Sequence, residues 1–354
     1  MGAENVVEST SKEHFIQTVT EAVNGEAPHI LIWGGDGTAH DAVNAVMAAA
    51  GSVGAGAGPK SIGFLRGGSG NGTQDSYGVP RNLKRQLEVY AEAAEANYVV
   101  HVDLLEVESG GHVKYGQLAG LGFDASVLER REAKRNKETG RVPPGMVRYV
   151  GSAFATFFAT DFSHLDEYTL FLEHGKYAFR GPRVNAEFAF DDMQRTVRPV
   201  MIEIGTRPYY GRMFKICPDV VCNDGNIDVY VYNFATRMDV VKNVPWIWTG
   251  KHHRINRRHV RAGKGLIERF EIQSCRIARG EPFLYHVDGE LFEAAQAPSG
   301  AYELRVRVRP SQIGFLVPGE FYRLFHPFDP TLDQPAAAAG TSQDHTSATT
   351  EQSR

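Results

Sequence analysis

The sequence predicts two unlike halves, an α/β half followed by an antiparallel, β-rich half, and three observations carry that expectation. Ile30-Leu31-Ile32-Trp33 and Ser61-Ile62-Gly63-Phe64-Leu65 are short apolar runs of the kind that form buried parallel strands. Each runs into a glycine-rich loop, Gly34-Gly35-Asp36-Gly37-Thr38 in the first case and Arg66 to Thr73 in the second. From Val99 onward the texture changes to apolar/polar alternation, as in VVHVDLLEV, YTLFLEH and RPVMIEIG, which reads as antiparallel strands joined by polar turns.

In chain order, Asn5 to Ser9 reads as a strand. Ser11 to Asn24 reads as an amphipathic helix with Phe15, Val19 and Val23 on one stripe, Ser11 as N-cap and Gly25 as its stop. The strand ending at Trp33 and the first glycine loop lead into an Ala/Val-rich helix with Ala42, Val43, Val46 and Met47 at helical spacing. A glycine turn between strand and helix lets a ligand come close to the backbone, and the helix aims free N–H groups and its positive end at the same place. The alternative is a tight turn with no ligand. Gly51 to Pro59 reads as a flexible connection, and Asn82 to Ala96 as a helix with Leu83, Leu87 and Tyr90 facing inward.

In the second half, Val147 to Phe158 is the helical exception. Phe214 to Cys217 and Ile227 to Tyr232 read as a hairpin closed by an Asp224-Gly225 turn. A helix around Met238 to Thr249 precedes a basic stretch containing Lys251, Arg254, Arg257, Arg258, Arg261 and Lys264. Trp246 and Trp248 beside that stretch could form a patch meeting anionic lipid, but a solvated helix face over core aromatics is the favoured reading. The tail after Pro330 has nothing to bury and reads as disordered.

Composition narrows the class. With 354 residues and a formal charge of −4, the chain can bury a large core and gives no reason to expect nucleic acid as a partner. Cys217, Cys222 and Cys275 show no C-x-x-C spacing and read as buried thiols of a reducing cytoplasm. There is no signal-peptide pattern, and the longest apolar stretch, Tyr149 to Phe162, is too short and too interrupted to span a bilayer. Any membrane contact is therefore expected to be peripheral, and oligomeric state is left open.

Several motifs, correctly ordered over roughly residues 5 to 320, resemble the catalytic family of diacylglycerol and sphingosine kinases, above all the bacterial lipid kinases. Gly34 to Thr38 looks like the family's GGDGT, and Gly68-Ser69-Gly70-Asn71 like its second loop. Gly78-Val79-Pro80, Gly122-Phe123-Asp124-Ala125, Pro218 through Asp224-Gly225, and Val287-Asp288-Gly289-Glu290 follow at the family's spacing. The resemblance implies a nucleotide-binding α/β domain of the NAD kinase/diacylglycerol kinase type over 1–103, with 310–325 returning to it. A β-sandwich lipid domain would cover 104–309, and 331–354 would be a disordered tail.

The implied activity is transfer of the γ-phosphate of Mg·ATP to a lipid hydroxyl of a diacylglycerol, a sphingoid base or phosphatidylglycerol, a reaction that needs positioning and charge neutralisation more than covalent help. Gly34, Gly35, Asp36, Gly37, Thr38, Gly68, Ser69, Gly70 and Asn71 would bind the nucleotide. Asp36 would hold a magnesium-bound water or orient the acceptor hydroxyl, and Glu290 would be the general base; a plain hairpin-turn carboxylate is the alternative for Glu290. A structural magnesium would sit on Asp224 with the carbonyls of Val221 and Asn226, or the turn would simply be empty.

Two features depart from the family. The family's opening strand, helix and phosphate-contacting loop have no counterpart ahead of Asn5 to Ser9, and Gly72 stands where diacylglycerol kinases have Asp. The rival readings are a nucleotide-binding pseudokinase or regulatory domain, and an NAD kinase, whose Asn-Glu pair is not seen.

Overall fold

The computed structural model describes residues 5–50, 60–135, 155–162, 164–180, 185–211 and 214–329. The connection 51–59, most of the helix expected from 147 and the tail beyond 330 lie outside them, although 155–159 is helical. Helix α1 (Lys12–Asn24) is capped by the Ser11 hydroxyl, which accepts from the His14 N–H, and it buries Val19 and Val23. Strand β1 (His29–Gly34) pairs in parallel with β2 (Ser61–Arg66), and α2 (Asp36–Ala50) starts one residue after β1 ends. Ala42, Val43 and Val46 of α2 are buried together with Ile32, Ile62 and Phe64.

Residues 6–9 form no strand, contrary to the reading of Asn5–Ser9. Past the short helix α3 (Gly72–Ser76), helix α4 (Leu83–Ala96) turns Tyr90 inward as expected but not Leu83 and Leu87, which are 42% and 46% exposed; its buried face is Gln86, Val89, Tyr90 and Ala93. Polar satisfaction explains that rotation. The Tyr90 hydroxyl donates to Phe64 O, and Gln86 Oε1 accepts from the Arg66 N–H, so two hydrogen bonds to β2 fix which face turns in.

The main sheet takes β1 and β2, then β16 (Tyr302–Leu316), β12 (Ile267–Arg279), β11 (Ile227–Tyr232), β8 (Met201–Gly205), β5 (Leu118–Gly122), β13 (Leu284–Val287) and β14 (Glu290–Glu293), with β3 (Val99–Ser109), β4 (His112–Gly116), β6 (Tyr168–Arg180), β7 (Asn185–Val197) and β15 (Ala295–Gln296) attached along its flanks. Strands β3 (Val99–Ser109) and β16 (Tyr302–Leu316) are long and antiparallel, with a register shift between Arg309 and Ile313. The end of β16 lies parallel to β2, Gly314 opposite Ser61, so one continuous sheet passes from the α/β half into the β-rich half. Strand β12 (Ile267–Arg279) pairs with β11 (Ile227–Tyr232) through its first half and β16 through its second, while β6 (Tyr168–Arg180) runs along its length. The largest core lies against this region and includes Leu105, Leu121, Ile202, Val229, Phe270 and Val306.

The expected hairpin between Phe214–Cys217 and Ile227–Tyr232 does not form. Strand β10 (Phe214–Lys215) pairs with β9 (Tyr209–Gly211), and β11 pairs with β8 (Met201–Gly205) and β12. The Asp224-Gly225 turn is instead held from outside by Asp103 of β3, whose Oδ2 accepts from the Gly225 N–H at 2.6 Å.

Candidate active site

The two glycine loops lie against each other at the ends of β1 and β2. The Gly67 N–H donates to Gly34 O at 2.9 Å, and a Cβ on Gly35 would stand 2.9 Å from the Gly68 Cα. Only glycine allows that approach. Gln74 ties the loops from beneath, donating to Gly34 O and Leu65 O. Asn71 takes a left-handed conformation at φ 61°, and its side chain closes the second loop by accepting from Gly68 N and donating to Gly68 O. At the start of α2, a Cβ on Gly37 would meet nothing within 4 Å, so this helix end faces open space.

Asp36 opens α2 and accepts from the Thr73 N–H at 3.0 Å. Burial raises its carboxyl above the usual range, opposed by the charge of Arg207 and by the N–H groups of Thr73 and Gly72. Arg207 is the largest fully buried side chain, at 1% exposure. It donates from Nη1 to Tyr209 O at 2.6 Å and from Nη2 to Asp288 Oδ1 at 3.1 Å, while its Nε finds no acceptor among the described residues.

Asp288 sits in a left-handed turn at φ 49°, between β13 (Leu284–Val287) and β14 (Glu290–Glu293). Its carboxylate accepts from the N–H groups of Gln117 and Leu118 as well as from Arg207, and His40 Nδ1 stands 3.5 Å from its Oδ2. Burial alone would raise this carboxyl, but Arg207 and His40 outweigh it and lower the pKa to about 2. His40 Nε2 lies 3.6 Å from Glu290 Oε2, and Lys12 Nζ bridges Glu290 Oε1 at 3.2 Å and Asp41 Oδ1 at 2.8 Å. Hydrogen bonds and close charged contacts thus link Arg207 to Glu290 through Asp288 and His40, and the charges of Arg207 and Asp36 act on each other across the gap between them.

The structure therefore brings together Gly34 to Thr38, Gly68 to Asn71 and Glu290. The candidate metal turn of Val221, Asp224 and Asn226 is anchored elsewhere, against β3. There Asp224 Oδ1 accepts from the Asn226 N–H, and burial, with Glu271 and Asp103 nearby, pushes its carboxyl up. Asp224 with Glu271 and Asp103 nearby offers carboxylate oxygens of the kind that suit magnesium.

Lys12, His40, Arg207 and Asp288 were not among the sequence candidates. His40 could have been found, since it follows Asp36 by one helical turn. Arg207 carries no local signal, because its meaning depends on which buried carboxylates the fold puts beside it.

The architecture is thus an α/β layer with paired glycine loops, joined through one sheet to an antiparallel sandwich-like half. Residues 3–106 match the family model of the diacylglycerol kinase catalytic domain, and residues 177–317 match that of the YegS C-terminal NAD kinase beta sandwich-like domain. With both matched in order, the chain belongs to the diacylglycerol kinase family, a family of lipid kinases.

Among solved structures, a candidate diacylglycerol kinase from Bacillus anthracis str. Sterne is similar at TM-score 0.58 and 14% identity, over 87% of this chain and 83% of that one. A structure described as a diacylglycerol kinase from the same organism matches at TM-score 0.52 and 14% identity, over 87% and 84%. At such identity these likenesses speak for the fold. No curated protein sequence matches the chain. Among the described residues no helix is long and apolar enough to cross a membrane.

Proposed function

We propose that the chain transfers the γ-phosphoryl group of Mg·ATP to the hydroxyl of a lipid such as a diacylglycerol, a sphingoid base or phosphatidylglycerol. The observation that carries this reading is the convergence of the two glycine loops and Glu290 through the Asp36–Arg207–Asp288–His40 chain. The loop backbones and the open end of α2 suit the phosphates. The buried Arg207 supplies positive charge beside them, and its unsatisfied Nε fits a site built for an anion. Asp36 lies where it can hold a magnesium-bound water or orient the hydroxyl. Glu290, 34% exposed, takes the hydroxyl proton as the lipid oxygen bonds to phosphorus and ADP departs. Magnesium would be held at the Val221, Asp224 and Asn226 turn through oxygen donors.

The acceptor's chemistry implies a surface-bound substrate, and the helix Arg237–Trp248 supports contact with an anionic membrane. Its outward residues Met238, Val241, Val244 and Trp248 are 54%, 49%, 39% and 42% exposed. Beside it the helix His252–Ala262 carries Arg254, Arg257, Arg258 and Arg261 and no acidic residue. An exposed apolar stripe flanked by cations fits peripheral binding better than the solvated face read from the sequence.

The test is transfer of labelled γ-phosphate from Mg·ATP to micellar diacylglycerol, phosphatidylglycerol, ceramide and sphingosine, with Glu290→Gln alongside. A labelled lipid that disappears in the variant supports the reading. Bound ATP with no product in any lipid would favour a nucleotide-binding regulatory protein, and labelled NADP from NAD an NAD kinase.

A further inference from the structure

Strands β8, β5 (Leu118–Gly122) and β13 lie side by side, and their register sets Glu203 and His286 on either side of Gly120. Glu203 and Gly120 are opposite one another, as are Gly120 and His286, so both side chains lean over the strand between them. Asp124, in the first turn of α5 (Phe123–Arg135), descends onto the same point. The three donor atoms lie within 4.8 Å of one another, and all three residues are buried. A Cβ on Gly120 would stand 2.6 Å from His286 Nε2, 2.7 Å from Asp124 Oδ2 and 2.8 Å from Glu203 Oε1. The glycine is what lets three polar groups converge.

This cluster lies outside the Asp36–Glu290 chain. Asp124 Oδ1 is occupied by the Ala125 N–H at 2.8 Å, which leaves Oδ2 turned inward toward His286 Nε2. Glu203 Oε2 has no hydrogen-bond partner among the described residues although Glu203 is 1% exposed, and its nearest cationic atom, His286 Nε2, is 4.0 Å away. An unsatisfied carboxylate oxygen in such a place is costly unless something pairs with it.

We propose that Glu203, Asp124 and His286 form a binding site for one divalent transition-metal ion, of the zinc, manganese or ferrous type. Two carboxylates and a neutral imidazole carry two negative charges, which a divalent ion cancels inside the protein. One nitrogen and two oxygen donors favour these ions over magnesium or calcium, which take oxygen alone. The ion takes the place of the proton on His286 Nε2 and of the proton that burial and Asp124 keep on Glu203, the latter released to solvent, and gives Glu203 Oε2 its partner. The imidazole then carries its proton on Nδ1, so the 3.3 Å contact from the Gly289 N–H gives way. Gly289 lies between Asp288 and Glu290, so ion occupancy reaches the turn that bears both. The binding itself is independent of the kinase reading.

The full chain is refolded from denaturant with chelator alone, or with Zn²⁺, Mn²⁺ or Co²⁺ in the presence of excess Mg²⁺, then desalted and its metal content measured. The wild type should retain about one ion per chain, with a Tm that rises with ion concentration. Glu203→Gln and His286→Gln should retain none while keeping the wild-type circular dichroism, and Asp224→Asn should bind as the wild type does. The Co²⁺ form should show visible d–d bands without a thiolate charge-transfer band, which decides the matter on wild-type protein if the variants do not fold. Wild type that retains no ion, equal retention by folded Glu203→Gln, or a thiolate band would each overturn the proposal. The first of these would leave a proton-sharing cluster.

Discussion

Arg207 donates from Nη2 to Asp288 Oδ1 across 3.1 Å, with 2% and 8% of the two side chains exposed. This buried pair clamps the turn that carries Glu290 to the loop before β9. Removing one partner leaves an uncompensated charge in the interior, which typically costs about 3–5 kcal/mol. Asp288→Ala and Arg207→Met should each destabilise by about that much in denaturant titrations. The double variant should lose clearly less than the two combined. Additive losses would show that the pair is not energetically coupled.

A buried histidine sets a pH limit elsewhere in the fold. His252 is enclosed by Tyr230 and Tyr232, with Nε2 2.8 Å from the Tyr232 hydroxyl; Asp219 and His253 are the charged groups acting on it. Burial lowers its pKa to about 4, with Asp219 opposing. The unfolded chain takes up this proton near pH 6.5 and the folded chain only near 4, so the unfolded state binds more protons between these values. Stability should therefore fall as pH drops through this window, by about 3 kcal/mol at ~1.4 kcal/mol per pH unit. Unfolding of wild type and His252→Gln from pH 7.5 to 4 should diverge by this slope. Parallel curves would mean that His252 titrates normally.

How legible the chain was depends on the range of the interactions involved. The glycine loops and α2 could be read from the sequence because β1 and β2 are short apolar runs and Ala42, Val43 and Val46 follow at a clean helical period. Ser11 was visible as a cap because its partner, His14, is three residues away. The facing of α4 was read correctly only at Tyr90: Gln86 turns inward to bond β2, whereas hydrophobicity alone would bury Leu83 and Leu87. The false hairpin at Asp224-Gly225 shows the same limit: local turn chemistry was right, but the strands around it pair with β8, β9 and β12. Arg207 and Lys12 acquire meaning only from partners 81 and 278 residues away, Asp288 and Glu290.

If the exposed stripe of the helix Arg237–Trp248 meets a membrane, apolar and basic contributions should separate. Trp248→Ser with Met238→Ser should weaken sedimentation with phosphatidylglycerol-containing vesicles at every salt concentration. Arg257→Gln with Arg261→Gln should weaken it mainly at low salt, about 1 kcal/mol per charge near the surface. None of these residues belongs to the buried chain around Asp288, so turnover of a soluble short-chain lipid should stay unchanged. Equal vesicle binding by all variants would remove this face from the account.

Gly37 and Gly68 separate what the loops do for the fold from what they do for a ligand. A Cβ on Gly68 would collide with the Gly35 backbone, so Gly68→Ala must push the loops apart and should destabilise by about 1–3 kcal/mol. Gly37 is exposed, lies within α2 and has nothing within 4 Å of where its Cβ would be. Gly37→Ala should thus be neutral or stabilising by up to about 1 kcal/mol, from helix propensity. The same methyl group would stand where a phosphate must approach the start of α2. ATP affinity, read by calorimetry, should then fall at least tenfold in Gly37→Ala while Tm holds or rises. A drop in affinity with an intact fold would show that the backbone at this helix end touches the ligand. Unchanged affinity would move the phosphates away from it.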